Sequence, residues 1–206
     1  MIAMEEGFVF LDEVLPGIRW DAKYATWDNF TGRPVDGYEV NRIVGSLALA
    51  EALLEAKGRA AELGFGLLLW DGYRPQRAVD RFVRWASEPE DGATKPAFYP
   101  RLDRAGMFAH GYVAHRSGHS RGSAVDLTLF RLDTRELAPM GGSHDLMDER
   151  SHHDAAGLTE SEARHRRTLR SIMERSGFVP YAREWWHYSL RDEPYPDRYF
   201  DFGITS

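Results

Sequence analysis

Short patches of apolar and polar residues alternate from residue 8 to residue 30, with Pro16 and Gly17 between them, a pattern that predicts short strands and turns. Asn29-Phe-Thr-Gly32 and Pro34-Val-Asp-Gly37 carry turn residues. From about 41 to 63 the chain is rich in Ala and Leu and reads as a helix, with Gly58 expected at an interruption or a packing contact. Leu67-Leu-Leu-Trp70 is a short apolar run closed by Asp71-Gly72, the signature of a buried strand entering a turn. Val79, Phe82 and Val83 fall on one stripe and predict a helix over 76–86. Residues 88–118 are dense in Pro and Gly, and an irregular stretch of that length in a folded domain is commonly a lid or binding loop. Ser123 to Phe130 reads as a strand, and 138–158 as a second irregular segment rich in Asp, His and Gly. Thr159 followed by Glu162 matches a capping box that opens a helix running to about 175, with Gly177 as its stop. Residues 184–190 are aromatic and strand-like, and the tail from Arg191 is expected to pack as irregular chain. No repeat, heptad run or low-complexity linker divides the sequence, so 1–206 is expected to be one domain.

Composition narrows the function classes. The chain is 43% hydrophobic and 28% charged, enough for one sizeable core. Its aromatic richness suits a carved, mostly apolar pocket. A net charge of -6 without a basic block argues against nucleic-acid binding. Arg164, Arg166 and Arg167 follow Glu160 and Glu162 and are expected on a solvated helix face, with His165 facing solvent beside them. The absence of cysteine excludes a disulfide scaffold and a thiolate-held zinc. The first residues lack a basic and then apolar leader, and no segment approaches the ~20 apolar residues of a membrane span. The cytoplasm is therefore the default location, with no membrane partner.

The chemistry concentrates in Ser117-Gly-His-Ser-Arg-Gly-Ser-Ala-Val-Asp126 and the distant Glu184-Trp-Trp-His187. His119, Asp126 and His187 offer two imidazoles and one carboxylate, a set that leaves a fourth position on zinc open, as catalytic rather than structural sites do. Glu184 is then a spare carboxylate suited to the general base. His119 and Asp126 are seven apart, so one straight strand would put them on opposite faces. The backbone must turn between them, and Gly122 is the place for that turn. Asp126 lies among Ala124, Val125, Leu127 and Leu129, where a carboxylate is costly unless it is paired, hydrogen-bonded or bound to metal. An Asp paired with an arginine is the competing reading. Glu184 and His187 are three apart; a short helical turn places them on one side, whereas a strand needs a bulge. Trp185 and Trp186 either exclude water from such a site or simply fill the core. His110, His115, His144, His152, His153 and His165 compete for the ligand roles, with His152 and His153 candidates for supporting hydrogen bonds.

Ser117-x-His119-x-x-Gly122-x-Ala124-x-Asp126 with Glu184-x-x-His187 resembles the zinc signature of D-alanyl-D-alanine dipeptidases of the VanX type. Tyr24-Ala-Thr-Trp-Asp-Asn-Phe-Thr-Gly32, Val35-Asp-Gly-Tyr38, Asp71-Gly-Tyr-Arg-Pro75, Met147-Asp-Glu-Arg-Ser-His-His153 and Arg191-Asp-Glu-Pro-Tyr-Pro196 extend the likeness over nearly the whole chain. The resemblance implies an α+β fold related to the zinc D-Ala-D-Ala carboxypeptidases and the hedgehog signalling domain, a small antiparallel sheet carrying one Zn²⁺ with helices packed against it. It implies hydrolysis of the free dipeptide in the cytoplasm and is compatible with a homodimer. It also implies that Arg74 stabilises the tetrahedral intermediate, that Asp145 meets the substrate ammonium, and that Tyr24 and Ser117 position the dipeptide. The bland alternatives are a structural ion pair of Arg74 with Asp71 and a turn-capping role for Asp145. Two rival functions share the motif: a metallocarboxypeptidase trimming peptidoglycan peptides, and a noncatalytic zinc-stabilised binding domain. Neither Glu184 nor Arg74 is needed merely to hold zinc, which argues against the second.

Overall fold

The computed structural model describes residues 4–205; the first three residues of the leader reading lie outside them. Strand β1 (Phe8–Phe10) runs directly into a one-turn helix α1 (Leu11–Val14), followed by β2 (Arg19–Trp20). β3 (Val44–Ser46) leads into α2 (Leu47–Glu62), then β4 (Phe65–Asp71), α3 (Gln76–Ser87) and the short α4 (Lys95–Phe98). β5 (Ala124–Arg131), α5 (Glu160–Arg175), β6 (Phe178–Pro180) and β7 (His187–Leu190) complete the order. The architecture is α+β. A five-stranded sheet runs β2-β4-β5-β7-β6, and β1 pairs with β3 in a separate ribbon. The larger sheet is antiparallel except at its edge, where the two residues of β2 run parallel to β4.

Side-chain alternation along the central strands divides the sheet into two faces. Val125, Leu127 and Leu129 of β5 join Leu67 and Leu69 of β4 in a core with Leu49, Leu53 and Ala56 of α2 and Leu169, Ile172 and Met173 of α5. The intervening residues Asp126 and Thr128, with His187 and Ser189 of β7, belong to the other face. A second core, largely aromatic, gathers Tyr24, Phe30, Tyr38, Tyr73, Phe82 and Trp85 with Phe200 and Phe202 of the tail. The tail is irregular, as its sequence predicts, but firmly packed, and Ile204 bridges to Tyr38.

Several boundaries differ from the sequence reading. Residues 41–46 are not helical, because Val44–Ser46 pair with β1 and the Ser46 side chain caps α2 by accepting from the Leu49 N–H. Gly58 neither interrupts α2 nor makes a packing contact; a Cβ there would meet nothing within 4 Å. The Thr159/Glu162 capping box forms with both reciprocal bonds, and Gly177 follows α5 with φ +85°. Arg166 is a correction of a different kind. It is buried rather than solvated, and its guanidinium donates to the carbonyls of Met140, Arg150 and His152. It thereby pins the segment 138–158 to α5. His165 is half-buried against Phe65, its Nδ1 2.9 Å from the Pro139 carbonyl oxygen. Among the described residues no helix is long and apolar enough to cross a membrane.

Candidate metal centre and active site

Three neighbouring strands bring the polar residues of the site into one row. Asp126 of β5 lies opposite His187 of β7 and opposite Asp71 of β4, with a register irregularity in β4 between Leu69 and Asp71. His119 reaches the row from a 3₁₀ turn, Gly118–Arg121, immediately before β5. Ser117 caps that turn by accepting from the His119 N–H at 3.3 Å. Gly122 ends it in the left-handed region at φ +74°, and a Cβ there would come within 2.3 Å of the Phe8 ring. The chain therefore turns where the odd spacing of His119 and Asp126 requires. Glu184 lies outside β7. The His187 N–H donates to its carbonyl at 3.2 Å, an i,i+3 turn that folds the spacing of three back onto one side.

His119 Nε2, His187 Nδ1 and Asp126 Oδ1 form a triangle with sides of 3.1, 3.0 and 3.3 Å. Tetrahedral ligands about 2.0–2.1 Å from a divalent cation stand roughly 3.3 Å apart, so the triangle has the dimensions of a three-donor metal site. The opposite nitrogen of His119, Nδ1, lies 2.6 Å from the Gly72 carbonyl, which only accepts. Nδ1 therefore carries the proton and Nε2 presents a bare lone pair, the tautomer a ligand needs. His119, Asp126 and His187 are the one group of at least three possible donors found among the described residues. His153 is buried against Tyr188, away from the triangle, and takes no part in it.

The triangle opens into a cleft of about 290 Å³, lined by Tyr24, Arg74, Ser117, Asp145 and Glu184 as well as the three donors. Its walls come from 111–118 and 145–147, parts of the two irregular segments. The size lies at the lower end of small-molecule sites, which suits a small substrate. Arg74 is held from several sides. Its Nε donates to Asp71 at 2.9 Å, its Nη2 reaches Asp126 Oδ2 at 3.5 Å, and its guanidinium lies 4.9 Å from the Tyr24 ring centre. The ion pair with Asp71 is thus real, and the same arginine faces the cleft. Asp145 turns its side chain to Tyr24 and not to a backbone turn. It is a buried residue with φ +58°, and its Oδ2 accepts from the Tyr24 hydroxyl at 2.8 Å.

Electrostatics set the character of the cleft. Burial pushes the Glu184 carboxyl up to about 7, with Asp126 and Asp145 adding to the rise and His187 and Arg74 opposing it. Burial also raises Asp145. At Asp126 burial acts upward, but His119, His144 and His187 outweigh it and hold the carboxyl well below its usual range. Burial drives the Tyr24 hydroxyl well up, so it remains a donor. Four carboxylates, Asp71, Asp126, Asp145 and Glu184, surround one guanidinium, Arg74. The cleft is short of positive charge, which a divalent cation and an ammonium group would supply. His144, one of the histidines that compete for the ligand roles in the sequence, lies beside the triangle: its Nε2 stands 3.3 Å from Asp126 Oδ2 and 3.5 Å from Asp145 Oδ1.

Comparison with known proteins agrees with this geometry. A family model described as D-ala-D-ala dipeptidase matches residues 4–205. The chain is 67% identical over 201 residues to a D-alanyl-D-alanine dipeptidase of Enterococcus faecium, covering 98% of this chain and 100% of that protein. Its identity to dipeptidases of the same description is 64% for Enterococcus faecalis and 66% for Streptomyces coelicolor, each over 202 residues and with the same coverage of both chains.

Proposed function

The chain belongs to the D-alanyl-D-alanine dipeptidase family, and from that premise we propose that it hydrolyses the free dipeptide D-alanyl-D-alanine to two D-alanines with one Zn²⁺ per subunit. The observation that carries the reading is the convergence of a three-donor metal triangle, a half-buried acid of raised pKa and a buried carboxylate in one small cleft. His119, Asp126 and His187 hold the metal. When bound, zinc polarises the scissile carbonyl and makes the attacking water more acidic.

Glu184, its Oε2 3.9 Å from His187 Nδ1, takes the proton of that water and returns it to the leaving amine. Its raised pKa suits both transfers near neutral pH, since a group titrating there gives and accepts with little penalty. Arg74 faces the oxygen on which negative charge develops. Asp71 and the rings of Tyr24 and Phe82 fix it beforehand, so it stabilises the tetrahedral state without reorganising. Asp145, oriented by Tyr24, receives the substrate ammonium, and the pairing offsets the cost of burying that carboxylate. Ser117 holds the turn that carries His119 and lines the cleft beside it. A peptide extended at its amino end has no ammonium at this place, so the same pairing selects free dipeptides over longer chains. Action in the cytoplasm, on the dipeptide pool that feeds peptidoglycan precursors, is part of the proposal.

The test is a comparison of substrates with zinc-loaded protein. Free D-Ala-D-Ala should be cleaved, with strong discrimination against L-Ala-L-Ala and against a pentapeptide ending in D-Ala-D-Ala. Faster cleavage of the pentapeptide would replace this reading with a carboxypeptidase. No cleavage of any of the three by metal-loaded protein would overturn the peptidase reading.

A further inference from the structure

Asp126 uses only one of its oxygens in the donor triangle. The other, Oδ2, must be held from behind, or the carboxylate can rotate and withdraw Oδ1 from the two imidazoles. Two groups stand there: Arg74 Nη2 at 3.5 Å and His144 Nε2 at 3.3 Å. His144 Nε2 is also 3.5 Å from Oδ1 of Asp145, whose other oxygen is fixed by Tyr24. A carboxylate accepts, so the nitrogen between these two groups carries its proton and donates. The His144 N–H thus donates to the metal-binding carboxylate of β5, and the same imidazole stands in ion-pair range of the Asp145 carboxylate in the irregular segment 138–158.

The chain is shaped to allow this. His144 and Asp145 are consecutive, and ordinary extended backbone would send their side chains apart. The left-handed conformation at Asp145, φ +58°, is uncommon for a non-glycine residue and brings His144 and Asp145 side by side, with His144 against Asp126. Three rings hold the imidazole plane: Trp70 at 4.9 Å between centroids, Trp186 at 5.5 Å and Tyr24 at 6.2 Å. Beyond His144 lies a second cavity of about 390 Å³, lined also by Leu68, Trp70, Thr128 and Trp185.

We infer that His144 is a positioning residue, a donor that sets Asp126 for metal binding and joins it to the carboxylate that receives the substrate ammonium. The second half of this statement rests on the dipeptidase reading; the first does not. Loss of the donor loosens the metal even without substrate. Loss of the donor also weakens recognition of the free dipeptide through Asp145. The two halves are linked, because one imidazole faces both carboxylates.

The experiment compares wild type, H144F and H144Q. Phe preserves the ring against Trp70; Gln restores an amide N–H near the place of Nε2. Zinc dissociation constants are measured by competition with a chromophoric chelator, without substrate. H144F should bind zinc about 10–100-fold more weakly, the range expected when a group supporting a metal ligand is lost, and H144Q should return to within about threefold of wild type. KM for D-Ala-D-Ala should rise about tenfold on H144F in the Asp145 protein but less than about twofold in a D145N background, since groups that act together are not additive. Wild-type zinc affinity in folded H144F would overturn the inference. So would an H144Q no better than H144F, which would reduce His144 to ring packing. If H144F does not fold, H144Q and H144N decide: Asn is one methylene shorter and cannot reach, so equal zinc affinities overturn the proposal. A wild type that binds zinc yet cleaves no dipeptide refutes the assigned activity and the ammonium half of the inference together; the zinc measurements still decide the metal half.

Discussion

Glu184 can be tested apart from the metal, because it lies beside the donor triangle without belonging to it. E184Q should retain zinc and lose turnover by about 10²–10⁴-fold, the usual contribution of a positioned base. Metal analysis with hydrolysis rates checks this, and near-normal turnover in a folded variant would refute the assignment. Arg74 makes a different demand. R74A should lower kcat by about 10²–10³-fold with a small change in KM, as expected of a group that acts on developing charge. An unchanged kcat with a raised KM would show that Arg74 binds ground and transition states alike. Spacing made the approach of His119 to Asp126 legible, since the odd interval demanded a turn and Gly122 supplied it, whereas the roles of Arg74 and Asp145 came from the family resemblance. His144 offered no such signal. It is one histidine of a polar segment, and its link to Asp126 depends on a left-handed Asp145 that no spacing rule predicts. Arg166 hid in the same way between Arg164 and Arg167, since charge alone does not say which of three arginines faces inward.

At the scale of elements, two small features separate stability from site geometry. T159A removes the capping oxygen of α5 and should cost about 1 kcal/mol while leaving turnover unchanged. G122A places a methyl group against Phe8 in a backbone region unfavourable to alanine. It should destabilise by about 1–3 kcal/mol and also lower zinc affinity, because it shifts the turn that carries His119. Urea midpoints and zinc titrations of the two variants measure both effects; equal zinc affinity for G122A and wild type would show that the turn is held without this glycine. The elements legible in sequence were those with their own periodicity or caps, namely β4, α3, β5 and α5. β1 falls among the short strands read between 8 and 30, whereas the three-residue strands β3 and β6 carry too few positions for a period, and their pairing is decided by distant chain. The start of α2 was misplaced for that reason: residues 44–46 are apolar and small, and only β1 makes them a strand.

For the whole molecule, acidity should reveal a buried neutral histidine. Burial, with Arg170 and Arg166 nearby, lowers His153 to about 4, and its Nε2 has no hydrogen-bond partner. The unfolded chain takes up that proton first as pH falls. The stabilisation is complete above about 6.5 and is lost between there and about 4, up to roughly 3 kcal/mol. Urea midpoints from pH 7 to 4 should therefore fall less steeply for H153F than for wild type; parallel curves would remove His153 as the cause. A last consequence concerns the topology of the closed chain. The protein has no cysteine, yet the donor triangle ties residues 61 and 68 positions apart, Asp126 to His187 and His119 to His187. A cation shared by these residues is a removable cross-link. An ion that binds the folded triangle and not the unfolded chain stabilises by mass action, by about 4 kcal/mol when the free ion is a thousandfold above its dissociation constant. Dialysis against a chelator should accordingly lower the melting temperature and leave the end of β7 the first part of the sheet to exchange its amide hydrogens; an ion held there would be the staple this chain's composition lacks.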